Sequence, residues 1–340
     1  MRQRGTIILL VTATLLLAVA NILWGSLRIP TESVVRILLR DGEAANPAWH
    51  YIVWESRIPQ MVTALLCGAA LSVCGLMLQT LFRNPLAGPS ILGIDAGANL
   101  GVALVMLSIG TSLSVGNLSV GGSVLVVAAA MVGALAILLL LLMLSHTLQS
   151  PTMLLITGVI ISYVTGSVIS LLNYSATEEG VHNYIIWGMG NFGSVSLSRL
   201  PLYSALIVVG LAVATMLIKP LNALLLGEYY AENLGVNVRR TRTVLLLATG
   251  LLTATTTAFC GPISFLGLAV PHIARMALRT SDHRILMPGT MLAGAALTLA
   301  CNLLCTQLRP GSVLPINVVT PLIGAPVILY VILRQDKRSF

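Results

Sequence analysis

Long stretches without a single Asp, Glu, Lys or Arg dominate this chain, and their lengths predict its elements. A helix that crosses a bilayer needs about 20 mainly apolar residues. Residues 4–28 hold one such stretch and residues 57–83 a second. No charge occurs between Asp95 and Glu178, which leaves room for three helices. The Gly- and Ser-rich segment 110–122 and the segment 145–151 break that run. A sixth span is predicted over 200–218. The charge-free segment 242–275 is cut by Gly261-Pro262, so it reads as a full helix to about Cys260 and a short, Pro-interrupted one through Pro271. Segments 285–308 and 314–333 bring the expectation to ten transmembrane helices in an all-α integral membrane protein, with 1–340 as one transmembrane domain.

Charge tests the alternation. With ten spans, one side collects Arg2, Arg4, Arg83, Lys219, Arg239, Arg240, Arg242, Arg275, Arg279, Arg284, Arg334, Lys337 and Arg338. The other side receives only Arg28, Arg36, Arg40, Arg57, Arg199 and Arg309. The positive-inside rule makes the richer side, with both termini, cytoplasmic. Two segments outside the spans are long. Residues 28–56 are external and carry Trp49 and Trp54, expected as interface anchors. Residues 219–242 are internal and read as two short helices, around Leu221-Asn222 and over 228–234, with Gly235 as a C-terminal stop.

Composition agrees with the spans. Hydrophobic residues make up 56% of the 340 and charged ones 9%, at a mean hydropathy of +0.94. A soluble domain carries about a quarter of its residues as charges. The net charge of +8 is scattered in short clusters between apolar runs, which excludes a nucleic-acid footprint. The five cysteines lie in or beside apolar runs with no C-x-x-C pair, and serve as small apolar residues. The apolar run 6–24 after Met-Arg-Gln-Arg is long for a signal peptide and is read as an uncleaved first span.

Catalytic chemistry is sparse. The chain has no H-E-x-x-H, no P-loop and no G-x-S-x-G elbow, and His146, His182 and His272 lie far apart. No metal site is expected, and the chain cannot hydrolyse a nucleotide by itself, so any energy it needs must come from an ion gradient or a partner. An ion-coupled carrier would need an intramembrane ionisable residue. Asp95 is the sole candidate, and its plainer reading is a first-turn carboxylate favoured by the helix dipole. Gly93, Gly97 and Gly101 recur every fourth residue, Gly68, Ser72 and Gly75 make a similar small face at spacings of four and three, and both predict close helix packing. Pro262, Pro271, Pro321 and Pro326 mark helices shaped around a pathway.

Four segments resemble one family. The stretch RIPQMVTALLCGAALSVCGLMLQTLFRNPLAGPSILGIDAGANLG (57–101) is similar to the signature of FecCD/BtuC-type permeases, the membrane subunits of importers for ferric siderophores, haem and cobalamin. LLLGEYYAENLGVNVRRTR (224–242) resembles their cytoplasmic coupling region, and GPISFLGLAVPHIARMALRTSDHRILMPG (261–289) and LPINVVTPLIGAPVILYVIL (314–333) resemble their later helices.

The resemblance implies ten helices per subunit and a pair of permease subunits, with a homodimer favoured here. It further implies two ATPase subunits on the cytoplasmic face and a soluble periplasmic binding protein outside. The cargo would be an iron chelate (siderophore or haem) or cobalamin, crossing the bacterial inner membrane by alternating access. This chain would bind no cofactor, with ATP and magnesium held by the partner ATPase. Glu228, Tyr229, Ala231, Glu232, Leu234, Gly235 and Val236 would couple to that ATPase as a lever. Arg57 would dock the binding protein, with Gln60 standing where a second basic residue is frequent and Arg309 as a substitute nearby. Gln149, Ser150, Pro151 and Thr152 would form a cytoplasmic constriction, with Trp187 and Met189 near the outer mouth. The alternative from the residues is an ion-coupled secondary transporter working through Asp95.

Overall fold

Apolar runs in lipid have no water to satisfy their amides, so each closes its hydrogen bonds within a helix. The computed structural model describes residues 2–39, 46–109, 113–115, 118–120, 122–148, 150–308 and 313–336. In chain order the helices are α1 (Arg2–Leu23), α2 (Thr31–Leu39), α3 (Pro47–Tyr51), α4 (Ile58–Leu81), α5 (Ile94–Ala103), α6 (Gly122–Thr147), α7 (Pro151–Ser175), α8 (Glu178–Gly188), α9 (Leu200–Met216), α10 (Ile218–Leu224), α11 (Glu228–Asn233), α12 (Val238–Cys260), α13 (Leu266–Leu278), α14 (His283–Gln307) and α15 (Ile316–Asp336). Single 3₁₀ turns lie at Pro89–Leu92 and Phe192–Ser194, and π turns at Ile52–Arg57 and Leu104–Ile109.

Among the described residues six helices are long and apolar enough to cross a membrane, and a seventh candidate, Leu200–Met216 with Ile218–Leu224, is bent by 50°. The shorter apolar helices Ile94–Ser108, Leu266–Leu278 and Ile316–Tyr330 fall in the three remaining charge-free segments. Every segment read as a span therefore carries a helix. The continuous helix Pro47–Leu81 has 35 residues, about 50 Å at 1.5 Å per residue, well beyond a hydrocarbon core of about 30 Å. Its first turns extend past the membrane, which is where the π turn lies.

One element departs from the all-helical expectation. Strands β1 (Leu113–Val115) and β2 (Leu118–Val120) pair antiparallel, Ser114 opposite Ser119, inside the segment read only as a break. The signal was present, since Leu-Ser-Val occurs twice and alternates with the period of a strand.

The chain divides into two compact units, with two of the four divisions falling inside α4 and α9 and the other two between helices. One comprises Met1–Ser72, Asn191–Ile207 and Ser264–Phe340. Here α1 runs along α14, tied by buried polar groups. The Asn21 amide donates to the Leu17 and Leu299 carbonyls (2.7 and 3.0 Å), the Asn302 amide to Asn21 Oδ1 (2.8 Å) and the Gln60 amide to Asn302 Oδ1 (3.0 Å). The predicted small face on α4 is used, because a Cβ at Gly68 would collide with the Gly294 carbonyl and the Thr298 hydroxyl of α14. Helices α2 and α3 fold over the end of α1 around Ile29, Val34, Ile37 and Val53, with Trp49 and Trp54 packed against that cluster. Those tryptophans, expected as lipid-interface anchors, are half-buried against that cluster.

The other unit comprises Val73–Gly190 and Val208–Ile263. Its core is the crossing of α5 and α6, where Gly97 meets Gly133 and Gly101 meets the Ala129 carbonyl at backbone contact. Helix α12 packs on both, its Gly250 lying under Leu138 of α6. The Thr253 hydroxyl donates to Cys74 Sγ (3.9 Å). All five cysteines are buried and none forms a disulfide.

Candidate functional site

The segment between the sixth and seventh spans folds as the sequence pattern predicts, as α10 and α11. Pro220 in the first turn of α10 has no N–H to give the Met216 carbonyl, so α9 ends and the chain turns by 50°. Gly227 then adopts φ 111°, ψ 157°, a region open in practice only to glycine, and starts α11. Gly235 stops it at φ 82°. Its N–H donates to the Glu232 carbonyl (2.9 Å) and that of Val236 to Ala231 (3.0 Å), the paired bonds of a Schellman motif. Asn237 caps the following helix by accepting the Arg240 N–H at 2.8 Å.

The two faces of this hairpin differ. Ala231 is fully buried, and the Glu228 carboxylate accepts from the Arg242 guanidinium of α12 at 2.9 Å, the arginine side chain being 9% exposed. Outward stand Leu226, Tyr229, Tyr230 and Leu234, all more than 60% exposed, with the two tyrosine rings edge to face at 5.9 Å. Glu232 and Gly235 are exposed and Val236 half-buried. The expected coupling residues therefore split. Glu228 and Ala231 anchor, while Tyr229 and Leu234 present a surface. Sequence reading missed Arg242, Gly227, Leu226 and Tyr230. The glycine had a signal in standing directly before the Glu-led helix; the arginine, 14 positions from its partner, had none.

The expected docking residues behave differently from the expectation. Arg57 is only 4% exposed. Its guanidinium donates to the carbonyls of Ile22 and Leu23 (both 2.8 Å) and Leu27 (2.6 Å), beyond the end of α1 and in its last turn. The last carbonyls of a helix have no partner within it, and a cation there is also favoured by the dipole. Gly25 makes room, since a Cβ on it would sit 2.8 Å from Arg57 Nε. Gln60 is likewise committed inward, to Asn302. Arg57 and Gln60 are thus a clamp and a rung of the α1–α14 ladder, with the Arg57 guanidinium turned inward. Arg309 lies outside the described residues. Arg57→Ala is expected to destabilise the outer end of this unit by about 3 kcal/mol, the scale for hydrogen bonds from a charged donor to buried acceptors. Melting in detergent should fall by several degrees, with Arg57→Lys in between because one ammonium cannot reach three carbonyls.

The expected pathway residues form two groups at opposite ends of α7. Gln149 lies outside the described residues. Ser150 precedes α7 with extended backbone, Pro151 opens the helix, and Ser150 and Thr152 are exposed. Beyond the far end of α7, Trp187 is half-buried and Met189 is 39% exposed at the close of α8. The Tyr184 ring stacks on Trp187 at 6.3 Å, and burial pushes its phenol above the ordinary range. Helix α8 is held by backbone at both ends, since a Cβ at Gly180 would lie 2.8 Å from the Met106 carbonyl and one at Gly261 would strike that of Trp187. Among the described residues no three His, Cys, Asp or Glu side chains gather as metal ligands.

Asp95 is buried, accepting a hydrogen bond from the Thr257 hydroxyl of α12 at 2.7 Å. Gly93, Gly97 and Gly101 are packed against backbone as expected.

Comparison with known proteins agrees with this architecture. The vitamin B12 import system permease protein BtuC of Escherichia coli (strain UMN026) is 36% identical over 297 residues, covering 87% of this chain and 88% of that protein. Its counterpart in Shigella sonnei matches equally. A solved ABC transporter assigned to the metal-chelate type, in an inward-facing conformation, superposes with a TM-score of 0.82 at 28% identity, covering 96% of this chain and 99% of that one. PsaBC from Streptococcus pneumoniae shares the fold alone, at TM-score 0.52 and 14% identity. The profile of the FecCD transport family matches residues 12–334, so nearly every helix described above falls within it, and the chain belongs to the FecCD transport family.

Proposed function

We propose that this FecCD-family permease imports a metal chelate across the bacterial inner membrane, driven by ATP hydrolysis on a separate subunit. Two copies of the chain flank one pathway, both termini are cytoplasmic, and a periplasmic binding protein delivers the cargo. The observation that carries this reading is the α10–α11 hairpin. It offers Leu226, Tyr229, Tyr230 and Leu234 to solvent on a base pinned by Glu228 and Arg242. An exposed cluster of large apolar side chains on a short polar segment is a docking surface in a protein whose other apolar faces meet lipid. The ATPase is the occupant that a permease without a nucleotide site requires. Docked there, its motion reaches α12 through the Arg242–Glu228 pair, and segment 219–242 acts as the coupling element.

The identity to the vitamin B12 permeases supports a corrinoid, and the metal-chelate transporter supports the wider class that includes ferric siderophores and haem. Cobalamin is therefore the first cargo to test, ahead of the iron chelates that the sequence resemblance ranked first. The test is to purify the tagged chain from its host, identify its partners, and reconstitute the assembly in proteoliposomes with labelled cyanocobalamin or ferric siderophore. Recovery of a nucleotide-binding subunit at about one per permease, with uptake only when ATP is supplied, is the expected result. A chain that purifies alone and drives uptake from an ion gradient without ATP would overturn the proposal and return attention to Asp95.

A further inference from the structure

The turn that follows α4 has no part in the readings above, yet it is closely built. Arg83 ends the helix at φ 47°. Its N–H donates to the Thr80 carbonyl (3.3 Å) and that of Asn84 to Gln79 (3.2 Å), again the paired bonds of a Schellman motif. Glycine is the usual residue at the left-handed position of that motif, because a Cβ there is strained. Asn84 then folds the chain back. Its side chain accepts the Leu86 N–H at 2.9 Å and its carbonyl the Ala87 N–H at 3.1 Å. Arg83 and Leu86 are both exposed. The Arg83 guanidinium does not cap its own helix as Arg57 caps α1. Among the described residues it makes no hydrogen bond or ion pair. It lies instead against the α10–α11 hairpin, where a Cβ on Gly227 would sit 3.6 Å from Arg83 Nη1 and 4.0 Å from the Tyr230 ring. The turn and the hairpin belong to one compact unit.

We propose that the Arg83–Leu86 turn is a second part of the ATPase docking surface, where the Arg83 guanidinium pairs with a carboxylate of the docked subunit. This rests on the importer reading, since the hairpin must be where the ATPase sits. A strained arginine in a place made for glycine persists when its side chain has a task. That task lies outside this chain, because the guanidinium has no partner within its described residues. The N–H groups that open α11 beside it are donors too, so they cannot hold it. Charge says what can. Lys219, Arg239 and Arg240 are exposed on the hairpin segment, against Glu232, while Glu228 is tied to Arg242. An apolar centre of Leu226, Tyr229, Tyr230 and Leu234 inside a cationic rim fits an apolar groove with an acidic rim. The guanidinium lies next to a tyrosine of that centre, which favours a protein carboxylate over a lipid phosphate. Two parallel N–H donors on one carboxylate would also fix the register of the docked subunit.

The experiment uses the whole permease in nanodiscs and the nucleotide-binding subunit that co-purifies with it, and reads their affinity alongside the melting of the permease. Arg83→Gly removes the charge and relieves the strain, so the two readouts should move apart. Melting should hold or rise. Affinity should fall about fivefold at about 50 mM salt, the upper end for one exposed ion pair. At about 500 mM salt the loss should shrink below about twofold, because screening is then strong. Arg83→Lys, which keeps the charge, should lie between wild type and Arg83→Gly, and Arg83→Glu should lose more than either. Unchanged affinity in Arg83→Gly and Arg83→Glu, or a loss in Arg83→Gly matched by a fall in melting, would overturn the proposal. A loss seen with anionic lipid but absent in nanodiscs of phosphatidylcholine alone would assign the guanidinium to a lipid phosphate and overturn it as well. Failure of the importer reading has a different signature. The wild-type permease would then recover no nucleotide-binding subunit under any salt condition, and both readings would fall together.

Discussion

A chain carrying Tyr229→Glu and Leu234→Glu is expected to insert normally and to lose its nucleotide-binding partner on purification. Both side chains are largely in water, at 74% and 64% exposure. Exposed substitutions of this kind usually change stability by no more than about 0.5 kcal/mol. Burying either carboxylate in an interface is a different matter. A charge taken out of water without a counter-charge costs several kcal/mol, and each lost apolar anchor removes about 2 kcal/mol of binding. Together the loss reaches about 4 kcal/mol, on the order of a thousandfold in affinity. The readout is the ratio of ATPase to permease after gentle solubilisation, with Glu232→Gln as the control that leaves the apolar surface in place. Normal recovery of the partner with the double variant would show that the ATPase docks elsewhere.

The second large effect is expected inside the membrane. Gly97→Val should prevent stable insertion, because its Cβ would overlap the Gly133 carbonyl and the Ile137 side chain where α5 and α6 cross. Backbone cannot retreat as a side-chain tip can, so the helices must separate. The cost then falls above about 4 kcal/mol, among the severe mutations. Gly166→Val on α7 is the matched control, since nothing lies within 4 Å of the position its Cβ would take. Membrane-fraction yield and detergent melting should collapse for the first and hold for the second. Equal yields would mean that the α5–α6 crossing relaxes.

These two glycines illustrate what could be read in advance. The every-fourth spacing of Gly93, Gly97 and Gly101 marks a packing ridge in the sequence, and the structure uses all three against backbone. Gly166 is followed four residues later by Ser170, also a small pair, and it meets open space. Spacing shows that close approach is possible, and only the presence of a neighbour makes it real. The coupling hairpin was legible for the same local reason. Gly235 acts on its own backbone angles, so the stop was read where it occurs, while the bend at Pro220 and the start at Gly227 went unread although their signals are equally local. Its division into anchor and surface was not legible, because Glu228 becomes an anchor only when Arg242 stands opposite.

Arg57 is the sharper lesson. An arginine in an external segment, within a motif resembling a docking signature, reads as a surface charge. The structure turns it inward because α1 ends beside it with carbonyls that need donors, and because Gly25 leaves room. Asp95 follows the same logic. Its position at the start of a helix was visible, but its partner Thr257 lies on a different element and was not.

The sequence by itself determined that this is a multi-span membrane protein, where its ten apolar segments lie and where the second helix of the hairpin stops. Transfer of a segment into lipid depends on that segment's own length and composition, and a Pro or Gly constrains its own dihedrals. The tertiary structure alone decided which of the polar side chains are mechanical joints and which are surfaces. A hydrogen bond of 2.7 Å between Thr257 and Asp95 spans 162 positions of chain, and no one-dimensional pattern specifies which two such groups the packed helices will bring within reach.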